Sequence, residues 1–299
     1  MKLLLLGTNG QLGKELARQL PLAGDLTAYT RDSLDITDHA AVLEAVKTVM
    51  PDVIVNAAAY TAVDKAEEEQ SLAYAINTDA VENLAKISRD MGAWLIHYST
   101  DYVFDGTKNG SYLEDDEVNP INVYGASKLA GEKGIKLAEC NHIIFRTTWV
   151  VGKDGNNFAK TILRLASDRE SLRVISDQCG VPTSPALITR VTIEAIKSIG
   201  TSVGWEKGIY NLVPKGVSNW HEIAQTLITF ANGRGVNLKT KVADIQAIPT
   251  SEYPTPAQRP LNSVLNIEKI SQHLTFELPD WKDDFLVVAI DIIEELRLS

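Results

Sequence analysis

A chain of 299 residues, 44% hydrophobic and 23% charged, can bury one large core or two modest ones, which excludes a disordered or low-complexity protein. Its formal charge of −10 excludes a generic electrostatic grip on nucleic acid or anionic lipid, so an anionic ligand must be held by a local site. No apolar run approaches the roughly 20 residues of a bilayer span, and no signal-peptide series opens the chain, so a soluble cytoplasmic protein is expected.

Lys2 to Leu6 is a short apolar run stopped by Gly7, after which Leu12, Leu16 and Leu20 recur at helical spacing. Further apolar runs at Leu26–Tyr29, Val53–Val55, Trp94–Tyr98 and Ile143–Phe145 alternate with helical stretches around 38–48, 71–90 and 122–138. Leu72, Ile76, Ala80, Leu84 and Ile87 mark one face of the second of these. Alternating strands and helices imply parallel βαβ units, with right-handed crossovers laying helices on both faces of a doubly wound sheet. The expected fold is therefore α/β, a Rossmann-type parallel sheet over residues 1–148, with a smaller α/β substrate-binding region over 149–299 from which some segments return to the first. Past residue 150 proline and glycine punctuate the pattern, at Gly152, Gly155, Pro182, Pro185, Pro214, Pro249, Pro254, Pro256 and Pro260. Trp281, Phe285, Val288, Ile292 and Leu296 then draw an apolar stripe on a C-terminal helix, which reads as core packing and less often as a subunit contact. The acidic run Glu67–Glu69 reads as a solvated helix start.

Between the first strand and first helix stands Gly7-Thr8-Asn9-Gly10-Gln11-Leu12-Gly13. A glycine for the turn, one without Cβ facing a pyrophosphate, and one for close helix packing are what a dinucleotide asks of this position, with the helix N-terminus toward the phosphates. The acidic residue that usually ends the second strand and takes a ribose 2′-OH is replaced by Arg31. A guanidinium there receives a 2′-phosphate, which favours NADP, or stacks on adenine, which leaves NAD usable. Asp35 and Ile36 follow as candidates for the adenine edge, and Ala57, Ala58, Ala59 and Tyr60 after Asn56 offer small side chains and backbone for the cofactor to lie against.

Thr100 ends the fourth strand, and Tyr124 and Lys128 are i and i+4 on the next helix, projecting from one face. At about 5 Å and an effective dielectric near 20, an ammonium would favour the phenolate by roughly 3 kcal/mol, enough to lower the tyrosine pKa by about two units. The five histidines, His39, His97, His142, His221 and His273, show no metal-ligand spacing, and the two cysteines, Cys140 and Cys179, stand in unrelated contexts that fit a reduced compartment.

The glycine turn, Asn56-Ala57-Ala58-Ala59, Ser99-Thr100-Asp101 and Pro120-Ile121-Asn122-Val123-Tyr124-Gly125-Ala126-Ser127-Lys128 resemble, in order, the extended short-chain dehydrogenase/reductases. Ser99 to Gly106, Arg146 to Gly152, Asp177 to Thr183 and Arg259 to Ser263 resemble more narrowly its members that reduce the C4 ketone of dTDP-6-deoxy-L-lyxo-4-hexulose to dTDP-L-rhamnose, for cell-surface polysaccharide. The resemblance implies NADPH or NADH as cofactor and Thr100, Tyr124 and Lys128 as the catalytic set: a hydrogen bond to the carbonyl, a proton to the alkoxide, and a hold on the nicotinamide ribose. It implies substrate contacts at Thr61, Val63, Asp101, Tyr102 and Trp149, with Arg259 at the diphosphate. Some such reductases are magnesium-linked homodimers, which implies Glu15, Glu294 and Glu295 as ligands, although acidic helix faces are usually only solvated. Other nucleotide-sugar reductases and epimerases of the family, and cofactor-binding regulatory subunits, remain as alternatives; Tyr102 in place of a glutamate after Asp101 counts against dehydration.

Overall fold

A strand buried on both faces must be apolar throughout, and Leu3, Leu4, Leu5 and Leu6 are all buried. Their side chains alternate between two cores. Leu3 and Leu5 join Val53, Val55, Ile96 and Phe145 under one layer of helices, while Leu4 and Leu6 join Ile54, Leu95 and Ile144 under the other. The computed structural model describes residues 1–199, 201 and 204–298, the side chains of 296–298 excepted.

The strands are β1 Lys2–Leu6, β2 Asp25–Tyr29, β3 Val53–Asn56, β4 Trp94–Thr100, β5 Asn141–Thr147, β6 Leu172–Ile175, β7 Cys179–Gly180, β8 Gly208–Asn211, β9 Ser218–Asn219 and β10 Ile245–Ile248. The helices are α1 Gln11–Gln19, α2 His39–Val49, α3 Val63–Ala66, α4 Gln70–Tyr74, α5 Ala80–Met91, α6 Val123–Ala138, α7 Phe158–Asp168, α8 Pro185–Ser198, α9 Trp220–Gly233, α10 Glu268–Ser271 and α11 Trp281–Leu298. The central sheet runs β2-β1-β3-β4-β5-β8, and every pairing in it is parallel. From β1 the chain crosses first to β2 on one side and then to β3 on the other. That reversal opens a crevice at the strands' C-terminal ends, where ligands bind in such sheets.

The last strand of the sheet, β8, comes from the second half of the chain, as does α8, whose Leu187, Ile188 and Val191 pack with Leu16 of α1 and with Leu20 just beyond its end. The remaining late elements build their own core: the parallel pair β6 and β10 lies with α7, α9 and α11 around Leu163, Leu227, Ile228 and Ile292. Trp281, Phe285, Val288 and Ile292 are buried there, so the C-terminal stripe is core; the side chain of Leu296 lies outside the described residues.

Two local expectations need correction. The helix expected over 71–90 is interrupted by a π-helical turn, Ala75–Asp79, between α4 and α5. The wider turn rotates the buried face, so Leu72 is exposed while Ala73 and Asn77 point inward. Asn77 explains the bulge: its amide accepts from Tyr60 N at 2.9 Å and donates to Tyr60 O at 3.1 Å and to Ser127 Oγ at 3.0 Å. Nor is Glu67 merely solvated, because its carboxylate accepts the Val123 N–H at 2.9 Å and so caps α6 from another element.

The tie between α6 and β5 is a fully buried ion pair. Arg146 Nε and Nη2 donate to the two oxygens of Glu132 at 3.0 and 2.7 Å, and Nη1 donates to Glu114 O at 3.1 Å. Removing one partner strands a buried charge, at a cost of about 3–5 kcal/mol. Arg146→Met should therefore lower the unfolding free energy by that amount in urea titrations, and adding Glu132→Leu should restore most of it. A double variant no more stable than the single one would mean that Arg146 contributes through packing on Phe104 instead.

Candidate active site

A cleft of about 990 Å³ lies along the C-terminal edge of β1, β3, β4 and β5. Its first end is the glycine turn. Gly7 has φ +86°, and a Cβ on it would stand 2.4 Å from Ala58 N. A Cβ on Gly13 would stand 2.0 Å from Gly7 O, so this glycine lets α1 approach the strand. Gly10 differs, since the nearest atom to an added Cβ is Gly7 O at 3.8 Å. It is also the N-cap of α1 and gives no side-chain cap, which leaves the helix's first N–H groups turned to the cleft, as a pyrophosphate requires. Arg31, Asp35, Ile36, Asn9, Gln11, Leu12, Ala57, Ala58 and Ala59 line the same end. Tyr60 does not: it is buried, and its hydroxyl donates to Glu69 at 2.7 Å. The turn that follows β3 points the ring toward α4, a direction the apolar run could not disclose.

Thr100, Asp101, Tyr102, Tyr124, Lys128, Thr61, Val63, Trp149 and Arg259 line the other part. Helix α6 is held in register at its start by Asn122, whose Oδ1 accepts Gly125 N at 2.8 Å and whose Nδ2 donates to Gln258 O at 2.7 Å. Thr100 Oγ1 accepts the Tyr102 N–H at 3.1 Å and donates to Asp101 Oδ1 at 3.0 Å. Burial pushes the Asp101 carboxyl up to about 6.

The expected depression of the Tyr124 phenol is not found. Burial, and then the Asp101 carboxylate, raise it above its ordinary value, and the Thr100 hydroxyl offsets this only in part. Lys128 is itself pushed down to about 8 by burial. Its Nζ donates to Tyr98 O at 2.7 Å and lies 3.2 Å from His97 Nε2.

Arg259 reaches the cleft with its guanidinium engaged. Nη1 and Nη2 donate to the two oxygens of Asp64 at 2.7 Å each, and Nη1 also donates to Ala257 O at 2.7 Å. The pair holds the Asp64 carboxyl below the usual carboxylate range. Asp64 was not legible as a site residue, because its partner lies nearly two hundred positions away. Trp220, Phe158 and Asn157 also line the cleft unannounced. Trp220 stacks on Trp149 with ring centroids 3.8 Å apart, and Asn157 joins Gly152 N in bonding the Gln11 side chain.

Within the one chain described, the three acidic residues suggested for a magnesium-linked dimer form no cluster. Glu15 accepts from Arg18 and Gln19, Glu295 pairs with Lys160 at 2.8 Å, and Glu294 is exposed. Among the described residues no group of three or more His, Cys, Asp or Glu side chains could hold a metal ion. Nor is any described helix long and apolar enough to cross a membrane.

Comparison with known proteins agrees with this geometry. The model of the RmlD substrate binding domain family matches residues 1–292. The dTDP-4-dehydrorhamnose reductase of Shigella flexneri is 47% identical over 286 residues, covering 94% of this chain and 95% of that one. That of Escherichia coli K12 is 46% identical with the same coverage. Among solved structures, the dTDP-4-dehydrorhamnose reductase of Bacillus anthracis in complex with NADP superposes with a TM-score of 0.88 at 36% identity, covering 97% of this chain and 99% of that one.

Gly10→Ala should fold with near-normal stability yet weaken dinucleotide binding tenfold or more, whereas Gly13→Ala should lose stability as well, because its Cβ meets backbone. Thermal melts and cofactor titration separate the two, and equal melting losses would remove Gly10 from the ligand face. Asp101 has its pKa raised from 3.8 to about 6 by burial, so its ionisation penalises the folded state increasingly as pH rises between those values and fully above them. Asp101→Asn should then stabilise the fold by up to about 3 kcal/mol at pH 7.5 and by little at pH 4. A gain of the same size at both pH values would trace it to something other than charge.

Proposed function

The chain belongs to the RmlD substrate binding domain family, and on that footing we propose that it reduces the C4 ketone of dTDP-4-dehydro-L-rhamnose to dTDP-L-rhamnose, using NADPH or NADH. The observation that carries this reading is the convergence of Thr100, Tyr124 and Lys128 on one cleft whose far end is the glycine turn. The residues at that end fit a dinucleotide: Gly10 leaves room where a Cβ would stand, and the uncapped start of α1 offers N–H groups to the pyrophosphate. Arg31 lines the same cleft, where a guanidinium can receive a 2′-phosphate, and the relative from Bacillus anthracis was solved in complex with NADP. The bound dinucleotide supplies the hydride.

Every other step falls to side chains of this chain. The Thr100 hydroxyl, anchored at the end of β4, turns its proton from Asp101 Oδ1 to the ketone oxygen when substrate is bound and stabilises the negative charge that develops there. Tyr124 delivers its proton to the alkoxide as it forms. Its raised pKa keeps it in the acid form that a proton donor needs. Lys128 presents its free N–H to the ribose of the nicotinamide half. Asp101, Tyr102, Trp149, Thr61 and Val63 surround the sugar, and Arg259 faces the diphosphate. The two free cysteines suit a reducing compartment, which supports a cytoplasmic location as part of the same reading.

The test is product analysis with the 4-keto sugar nucleotide and each reduced cofactor. Tyr124→Phe keeps the ring but loses the donor, so turnover should fall by about 10² or more while cofactor affinity holds. Unchanged sugar nucleotide with normal cofactor binding in the wild type would instead support a cofactor-binding regulatory subunit.

A further inference from the structure

The block from Asp177 to Thr183 and the cleft residue Trp220 have no part in the proposed reaction, yet the two are joined. The antiparallel pair β7 and β9 sets Cys179 opposite Asn219, which brings Gln178 and Trp220 side by side. Trp220 Nε1 donates to Gln178 Oε1 at 3.0 Å, Gln178 Nε2 donates to Thr250 Oγ1 at 3.1 Å, and Thr250 Oγ1 donates to Asp177 Oδ1 at 2.6 Å. The Thr250 N–H, 2.9 Å from both Asp177 oxygens, holds the end of the chain. An indole N–H only donates and a carboxylate only accepts, so the chain runs in one direction. The Gln178 amide cannot flip without opposing its NH₂ to the indole N–H. Gln178 is 4% exposed and does not line the cleft, so a broken bond there leaves a buried polar group unpaired.

What this chain holds is a pair of rings in the cleft wall. Trp220 stacks on Trp149 with centroids 3.8 Å apart and planes inclined by 22°. Gly180 backs the same Trp149 ring, since a Cβ added there would stand 2.8 Å from Trp149 Cζ2. The Trp149 backbone needs support as well, because its φ of +41° lies in the left-handed region, where a residue with a Cβ is strained. Thr183 supplies it: its N–H donates to Trp149 O at 3.2 Å, and its O accepts the Val151 N–H at 3.1 Å. Strain of this kind persists only where the surroundings fix it. Here the backbone of Trp149 and, through Trp220, its ring are both held by the segment 177–183.

We propose that Gln178 is a positioning residue: by orienting the Trp220 indole it fixes the plane of Trp149 in the wall of the sugar site. The inference rests on the proposed reaction and deepens it, since Trp149 is read there as a contact of the sugar. Phe158 meets Trp220 with centroids 4.6 Å apart and planes tilted by 47°, an apolar contact that excludes solvent but leaves the indole free to turn in its own plane. Direction comes from the Nε1 bond to Gln178. A rigid wall settles how the C4 ketone meets Thr100 and Tyr124, and a displacement of about 1 Å at reacting atoms costs on the order of 10² in rate. Gln178 thus acts on turnover without touching substrate or cofactor.

Gln178→Met keeps the length and bulk of the side chain but not the acceptor, and Trp220→Phe keeps an aromatic face but not the donor. In each, kcat for the 4-keto sugar nucleotide should fall about tenfold or more, with KM rising less than that and NADPH affinity within about twofold of wild type. Gln178→Glu still offers an oxygen to the indole, and the Thr250 hydroxyl can donate to the other, so kcat should return to within about threefold of wild type. A side chain that only stabilised the fold would lower the melting temperature and leave kcat of the folded enzyme in place. Independently of turnover, ¹⁹F NMR of fluorotryptophan-labelled protein reads the ring itself, with the Trp149 line assigned by its loss in Trp149→Phe. That line should be narrow in the wild type and in Gln178→Glu, and broadened or shifted in Gln178→Met. A Trp149 line unmoved by Gln178→Met, or a kcat unchanged in that variant, would overturn the proposal. If the wild type lacks reductase activity, the proposed reaction fails by itself, and the Trp149 line still decides whether Gln178 orients the ring.

Discussion

Helix α6 lies against its neighbours at backbone distance. A Cβ on Gly125 would stand 2.1 Å from Tyr102 O, and one on Gly131 would stand 2.2 Å from Asn77 O. This contact decides where Tyr124 and Lys128 project, because both lie between or beside those glycines on a helix that cannot slide. Ser127 is pinned in turn by Asn77 and by Thr78, and the far half of the helix is tied to β5 through Glu132 and Arg146. The π-helical turn at Ala75–Asp79 belongs to the same constraint, since it is what brings Asn77 inward. Helical propensity alone would have left a regular helix there; the tertiary contact overrides it.

The electrostatics of the site follow from burial more than from charge pairing. A lysine and a tyrosine at i and i+4 would couple strongly in a half-wet groove, yet here both are desolvated and each moves toward its neutral form. Desolvation penalises every ionised state, so neighbouring acid and base are pushed toward neutrality together. For reduction this is favourable, because the reaction consumes a phenol proton and the raised phenol holds that proton until the alkoxide forms. Asp101, raised but still largely ionised at neutral pH, is a negative charge close to Tyr124 and reinforces the effect on its phenol.

The sheet and the glycine-turn end of the cleft were legible because they rest on local signals. Apolar runs such as Leu3–Leu6 and the spacing of Gly7, Gly10 and Gly13 each carry their structural reason within a few residues. Thr100, Tyr124 and Lys128 were legible by order along the chain, since a parallel sheet gathers strand ends and helix starts on one edge. What was not legible depends on long-range pairing. Nothing near Asp64 announces Arg259, nothing near His97 announces Lys128, and Trp220 meets Trp149 only because α9 folds back across the second region. The inward turn of Tyr60 was missed for a similar reason, as its partner Glu69 becomes close only when α3 and α4 are in place.

On the proposed function, the Asp64–Arg259 pair is the means by which an acidic protein receives a diphosphate. A lone guanidinium in a net field of −10 would be drawn to any carboxylate nearby, and its direction would be undetermined. Held bidentate by Asp64 and by Ala257 O, its plane is fixed before a ligand arrives, and little side-chain entropy is lost on binding. The cost is that Asp64 neutralises much of the charge that a phosphate would otherwise meet. Selectivity gains from that arrangement: an anion must be placed to use the guanidinium's remaining N–H groups, and a ligand held elsewhere by its sugar and its base can satisfy that demand while a free phosphate has no such support.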